Sequence, residues 1–73
     1  MFSDSEIKFI IARIIDNANY NLEELNKNKE DAFFRGKKLA YYEVLDTIKN
    51  QLIINDQNLK EFGLDINLDS KYI

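Results

Sequence analysis

The chain has 73 residues, with no cysteine, histidine, proline or tryptophan and only two glycines. This length allows at most one domain, spanning residues 1–73, and so small a domain buries only about 60% of its unfolded surface. The missing cysteine excludes disulfides and thiolate metal sites, and the missing histidine removes the commonest zinc ligand and the usual proton shuttle at neutral pH. Self-association is therefore the stabilising device most available to this chain.

Composition and charge favour a folded protein of the cytoplasm. Apolar residues make up 45% of the chain and charged residues 32%, which is typical of a globular domain. No apolar run approaches the roughly 20 residues that span a bilayer, and the first residues lack a signal-peptide pattern. The net charge of −3 has the wrong sign for broad nucleic-acid binding.

A first amphipathic helix is predicted at about residues 4–27. Ser3 and Glu6 have the spacing of a capping box at its start. Phe9 and Tyr20 form a narrow second apolar line on the other side of the helix, which needs a further partner: the chain's own C-terminal segment, a second copy or another protein. The main apolar face comprises Ile7, Ile10, Ile11, Ile14, Ile15, Ala18, Leu22 and Leu25.

A second amphipathic helix is predicted at about residues 30–54, with Asn28 as its N-cap. Because few polar residues join the two helices, they should form an antiparallel hairpin over residues 3–54. Leu39, Tyr42 and Ile53 stand away from the main stripe of this helix and are candidate interface residues. That stripe comprises Phe33, Phe34, Ala40, Tyr41, Val44, Leu45, Ile48 and Leu52.

Gly36 and Ala40 are small residues one turn apart within the second helix. Glycine in a helix interior costs about 0.5–1 kcal/mol relative to alanine, so its presence suggests a purpose. We expect the pair to permit a close helix contact, either with the first helix or with a second copy.

Residues 55–73 form a C-terminal segment in which the apolar periodicity of the two helices is broken. Asp56 is the expected cap of a short helical turn that Gly63 ends in a left-handed conformation. Leu64, Ile66 and Leu68 then alternate with polar residues, which predicts a half-buried extended strand that crosses the hairpin or pairs with another chain. These three residues complete the candidate interface.

Metal binding and catalysis have little support in the sequence, and we predict no cofactor and no enzyme activity. Asp65, Asn67 and Asp69 match the start of a calcium loop, but Ser70 replaces the required glycine and no acidic residue closes the loop. The chain lacks the residues of the common nucleophile–base sets and has no glycine-rich phosphate loop.

A basic surface is predicted on one face of the second helix. Arg35, Lys38 and Lys49 share this face with Tyr42, an arrangement that can contact phosphates and stack on a base. Because a charged outer face is normally only a solvated one, nucleic-acid binding is the least favoured of the three binding functions considered.

Residues 33–48, with an aromatic pair, a glycine, an Ala-Tyr step and a leucine/isoleucine stripe, resemble a helix of short helical proteins from low-GC Gram-positive bacteria and their phages and mobile elements. The resemblance implies a self-associating helical hairpin and brings no activity with it.

These observations together predict an all-α protein in which two hairpins complete a four-helix bundle as a dimer. The expected function is non-enzymatic protein–protein interaction through self-association. The alternative is a small regulator or inhibitor that docks a host protein.

Overall fold

The computed structural model describes residues 2–73 and confirms the all-α hairpin. Helix α1 spans Asp4–Lys27 and helix α2 spans Ala32–Ile54. A 3-10 helix follows at Leu59–Phe62, and a short helix α3 spans Leu68–Tyr72. The two long helices lie side by side, and the segment after α2 packs across both of them.

The predicted capping box starts α1. The Glu6 amide donates to Ser3 Oγ at 3.2 Å, and the Ser3 amide donates to Glu6 Oε1 at 3.2 Å. The bond from the Ser3 backbone lowers the pKa of Glu6, because it stabilises the ionised carboxylate.

Helix α2 begins later than predicted, and its cap is Asp31 instead of Asn28. Asp31 Oδ1 accepts the Phe33 amide at 2.9 Å. Asn28 serves the end of α1, where its backbone amide donates to the carbonyls of Glu24 and Leu25 at 3.1 and 3.0 Å. The Asn28 amide therefore satisfies carbonyls that α1 leaves open. Asp31, three residues later, caps α2 instead.

The C-terminal segment departs most from the prediction. Gly63 ends the 3-10 helix with a φ of 73°, as expected, but Asn58 caps it in place of Asp56. Residues 64–68 do not form the predicted strand, because Asn67 caps α3 by accepting the Ser70 amide at 3.1 Å. A lone strand would leave its amides without partners, whereas turns and a helix satisfy theirs locally.

The core of this hairpin depends on the C-terminal segment. Seven apolar side chains are buried in the described part of the chain, and four of them come from residues 62–72. They are Ile11, Ala18 and Leu45 from the long helices, and Phe62, Leu64, Leu68 and Tyr72 from the segment. Residues 55–73 therefore form the third layer of one core.

We predict that Leu45→Ala strongly destabilises the fold. The Leu45 side chain is fully buried, and truncating a buried leucine costs about 2–5 kcal/mol through lost contacts and the remaining cavity. Leu39→Ala is the matched control, because Leu39 is 52% exposed on the same helix. Urea unfolding followed by circular dichroism measures both, and equal losses for the two variants would contradict the position of Leu45 in the core.

Candidate functional site

Three side chains on one face of α2 hold the C-terminal segment. Lys49 Nζ donates to the Ile66 carbonyl at 2.6 Å, and Tyr42 donates its hydroxyl to Asp69 Oδ1 at 2.7 Å. Lys38 Nζ donates to the Ile73 carbonyl at 3.3 Å. We call Lys38, Tyr42 and Lys49 the α2 clasp, because together they bind the segment from Ile66 to Ile73.

Helix α1 contacts the same segment at two points. Lys8 Nζ lies 3.5 Å from Glu61 Oε2 and 5.5 Å from the centre of the Phe62 ring. At the other end, the Tyr72 hydroxyl donates to Asn19 Oδ1 at 2.6 Å. The segment therefore covers one side of the hairpin along both helices, and we call this the tail side.

The hydrogen bond between Tyr42 and Asp69 changes the acidity of the phenol. It raises the pKa of Tyr42 to about 12, chiefly because the neutral hydroxyl donates to a carboxylate that a phenolate would repel. Burial raises the pKa of Tyr72 as well. Both tyrosines on the tail side thus stay protonated throughout the physiological range.

Several predicted interface residues belong to this internal contact. Leu64 and Leu68 are buried in the chain's own core, and Ile66 packs against that core. Tyr42 is half-buried and bonded to Asp69. Their apolar character is explained by the fold of a single chain, so they do not form a free surface.

The residues of the predicted basic surface also fall into two groups, one that contacts the C-terminal segment and one that is exposed. Lys38 and Lys49 are half-buried and donate to backbone carbonyls of the segment, whereas Arg35 is exposed. Two of the three cations therefore have an internal role.

On the opposite side of the hairpin, no helix within residues 2–73 covers α1 and α2. Residues one helical turn apart share a face, and the tail side is marked by Lys8 and Asn19 on α1 and by the clasp on α2. The apolar side chains that are rotated away from those markers and lie next to the contact between the helices are Ile7, Ile10 and Ile14 of α1 and Tyr41, Val44 and Ile48 of α2. We call these six residues the open face.

The open face is apolar and partly accessible to solvent. Ile7, Ile10 and Val44 are 37%, 41% and 46% exposed. Ile14, Tyr41 and Ile48 are half-buried against the core. None of these six side chains is charged, and the charged Lys37 lies one helical turn from Tyr41 beside them. The open face is therefore an apolar surface between the two helices with one cation at its edge.

Four other predicted interface residues lie outside the open face. Phe9 and Tyr20 are 67% and 61% exposed on the side of α1 that points away from α2. Leu39 and Ile53 are each 52% exposed on other sides of α2. These residues do not converge on one surface with the open face.

Gly36 and Ala40 do not make the predicted close contact with α1. A methyl group added at Gly36 would meet no atom within 4 Å beyond its own helix, and Ala40 is exposed. A close contact with a second copy stays a prediction.

No group of three acidic side chains within residues 2–73 is placed to hold a metal ion. The residues of the partial calcium pattern have other uses, since Asn67 caps α3 and Asp69 accepts from Tyr42. In the same range, none of the helices is long and apolar enough to cross a membrane.

No protein-family model, curated protein or solved structure matches this chain. The resemblance of residues 33–48 to short bacterial and phage helical proteins therefore stays a prediction.

We predict that Asp69→Asn lowers the pKa of Tyr42 toward the ordinary value of 10. In the native chain the folded pKa lies near 12, above the unfolded one, so the stability from this bond is present below pH 10 and is lost between pH 10 and 12. Carbon-13 NMR of labelled tyrosine follows the titration, and Tyr42→Phe identifies the Tyr42 signal. An unchanged Tyr42 titration in Asp69→Asn would show that Asp69 does not cause the shift.

Proposed function

We propose that this chain is a non-enzymatic interaction protein whose working unit is a homodimer, with two hairpins joined through their open faces into a four-helix bundle. The open face is the observation that supports this proposal most directly. It combines six uncharged side chains from both helices on the side that the chain's own tail leaves uncovered. A second copy presents the same apolar surface, so two copies can bury it together.

The surface area of the chain supports the same proposal. The chain exposes 5290 Å² of surface. A compact monomer of its 8.6 kDa mass is expected to expose about 4700 Å². The chain therefore exposes about 600 Å² more surface than a compact monomer of its mass, and a standard interface buries roughly 800 Å² on each partner. The elongated shape, 39 by 20 by 17 Å, provides a long side for such an interface.

The polar contacts favour binding over chemistry. The tyrosine hydroxyls of Tyr42 and Tyr72 and the ammonium groups of Lys38 and Lys49 hold the C-terminal segment. In a chain without histidine or cysteine, tyrosine hydroxyls and lysine ammonium groups are among the remaining proton donors. These four serve the fold by holding the segment in place.

The alternative function, docking of a host protein by a small regulator, rests on a different surface. Phe9 and Tyr20 expose more than half of their side chains on the outer side of α1, which a dimer built through the open face leaves free. The Tyr20 hydroxyl donates to Glu24 Oε1 at 3.0 Å, so this ring is held in place at the surface. An aromatic pair of this kind can anchor a protein partner.

We predict that the native chain sediments as a dimer at micromolar concentration and that Val44→Glu separates it into folded monomers. Burying an unpaired carboxylate in the interface costs several kcal/mol, so the dissociation constant should rise by on the order of 100-fold or more. Sedimentation equilibrium measures this change, and circular dichroism checks the fold.

Ile53→Glu is the matched control for Val44→Glu. Ile53 is 52% exposed on the same helix, compared with 46% for Val44, but it lies outside the open face. It should leave the dimer intact. A native chain that stays monomeric at these concentrations would refute the proposed function.

A further inference from the structure

We propose that the two copies pair α2 against α2 in an antiparallel arrangement, with the two-fold axis crossing the helix near Val44. This inference rests on the proposed dimer and specifies which helices meet and in which direction. In this arrangement, the exposed side of α2 around Val44 is covered by α2 of the second copy.

The first support is a seam of alternating spacing along α2. Steps of four and three residues are the spacing by which helices pack along a shared seam. Phe33 and Ile54 are 66% and 70% exposed at its two ends, and Val44 is 46% exposed near its middle. The whole seam comprises Phe33, Lys37, Ala40, Val44, Thr47, Gln51 and Ile54.

The order of side-chain sizes along the seam suits this pairing. Small residues, Ala40 and Thr47, flank Val44 on its two sides, and large ones, Phe33 and Ile54, stand at the ends. Gly36, beside the seam, has no atom within 4 Å of an added methyl group, so nothing in the chain itself fills that space. A second helix can approach closely around the middle and contact large apolar side chains at both ends.

The single charge in the seam decides the direction. Lys37 and Gln51 each lie seven residues from Val44. Antiparallel pairing around Val44 places the Lys37 ammonium opposite the neutral Gln51 amide of the other copy. Parallel pairing would place Lys37 against Lys37, and such like-charge contacts disfavour an interface.

Helix α1 supports the same axis. Asn21 Nδ2 donates to the Phe34 carbonyl at 3.0 Å. This bond fixes which residues of the two antiparallel helices lie opposite each other. Val44 follows Phe34 by ten residues, and Ile11 precedes Asn21 by ten residues. Because the helices are antiparallel, Val44 and Ile11 therefore lie opposite each other. Ile7 and Ile14 of the open face lie on either side of Ile11. A two-fold axis that passes near Val44 and Ile11 therefore brings Ile7 of each copy near Ile14 of the other.

Cysteine crosslinking tests the direction directly, because the chain contains no cysteine and each introduced thiol is unique. A short bismaleimide is added to the dimer of each variant, and covalent dimers are separated by denaturing electrophoresis. Val44→Cys should crosslink, because its two copies lie near the axis. Phe33→Cys alone should not, because antiparallel pairing separates its two copies by about 30 Å.

The double variant Phe33→Cys with Ile54→Cys should crosslink efficiently, because each end of one helix meets the opposite end of the other. Ile53→Cys is the control, since Ile53 is 52% exposed, slightly more than Val44, but lies outside the seam. All four positions are at least partly exposed, so the variants should retain the fold, which circular dichroism verifies.

Two results would overturn this inference while leaving the proposed dimer intact. Crosslinking of Phe33→Cys alone as strong as that of Val44→Cys would show parallel pairing. A dimer by sedimentation without crosslinking of Val44→Cys would show that the two-fold axis does not cross α2 near Val44. A monomer by sedimentation would instead refute the proposed function itself.

Discussion

The docking of the C-terminal segment onto one side of the hairpin is the interaction on which the remaining structure depends. Although α1 and α2 pack against each other along their length, they contribute just three of the buried apolar side chains. The segment adds Phe62, Leu64, Leu68 and Tyr72 and so more than doubles the buried set. This segment lies on one side of the hairpin, the side of the α2 clasp.

Polar contacts set the position of this docked segment more than they add to its stability. The apolar side chains provide the favourable burial, which has no direction. The Lys49 bond to the Ile66 carbonyl, the Tyr42 bond to Asp69 and the Tyr72 bond to Asn19 each fix one point of the segment. Inside the hairpin, the buried Asn21 side chain plays the same part by donating to the Phe34 carbonyl. Such directional bonds select one alignment among several that would bury similar area.

The sequence predicted the long helices well because their signals are local and repeated. The bounds of α1, its capping box at Ser3 and the role of Gly63 follow from short-range chemistry. The strand prediction is wrong because the alternation of Leu64, Ile66 and Leu68 is also compatible with a turn followed by a short helix. Asn67 caps that helix, and Leu68 and Tyr72, four residues apart, are buried on one face of it.

The candidate site was harder to predict than the fold, because periodicity shows which side chains are apolar but not which neighbour covers them. Leu64 and Leu68 were assigned to an interface, and the chain covers them itself. Periodicity places Ile10 and Val44 in the main apolar stripes, but in the fold they are 41% and 46% exposed, respectively. Only the position of the C-terminal segment, which depends on long-range contacts, distinguishes these two groups.

The width of the apolar stripes connects the covered side with the open face. A stripe that serves a single packed neighbour needs to span only about a third of the helix surface. On α1 the stripe from Ile10 through Ile11 to Ile15 is wide enough to meet α2, the C-terminal segment and one further neighbour. Helix α2 repeats this pattern from Val44 through Leu45 to Lys49, where the stripe ends in a clasp residue. The C-terminal segment covers one edge of both stripes. The opposite edges of the two stripes therefore lie on the same side of the hairpin, where together they form the open face as a single surface.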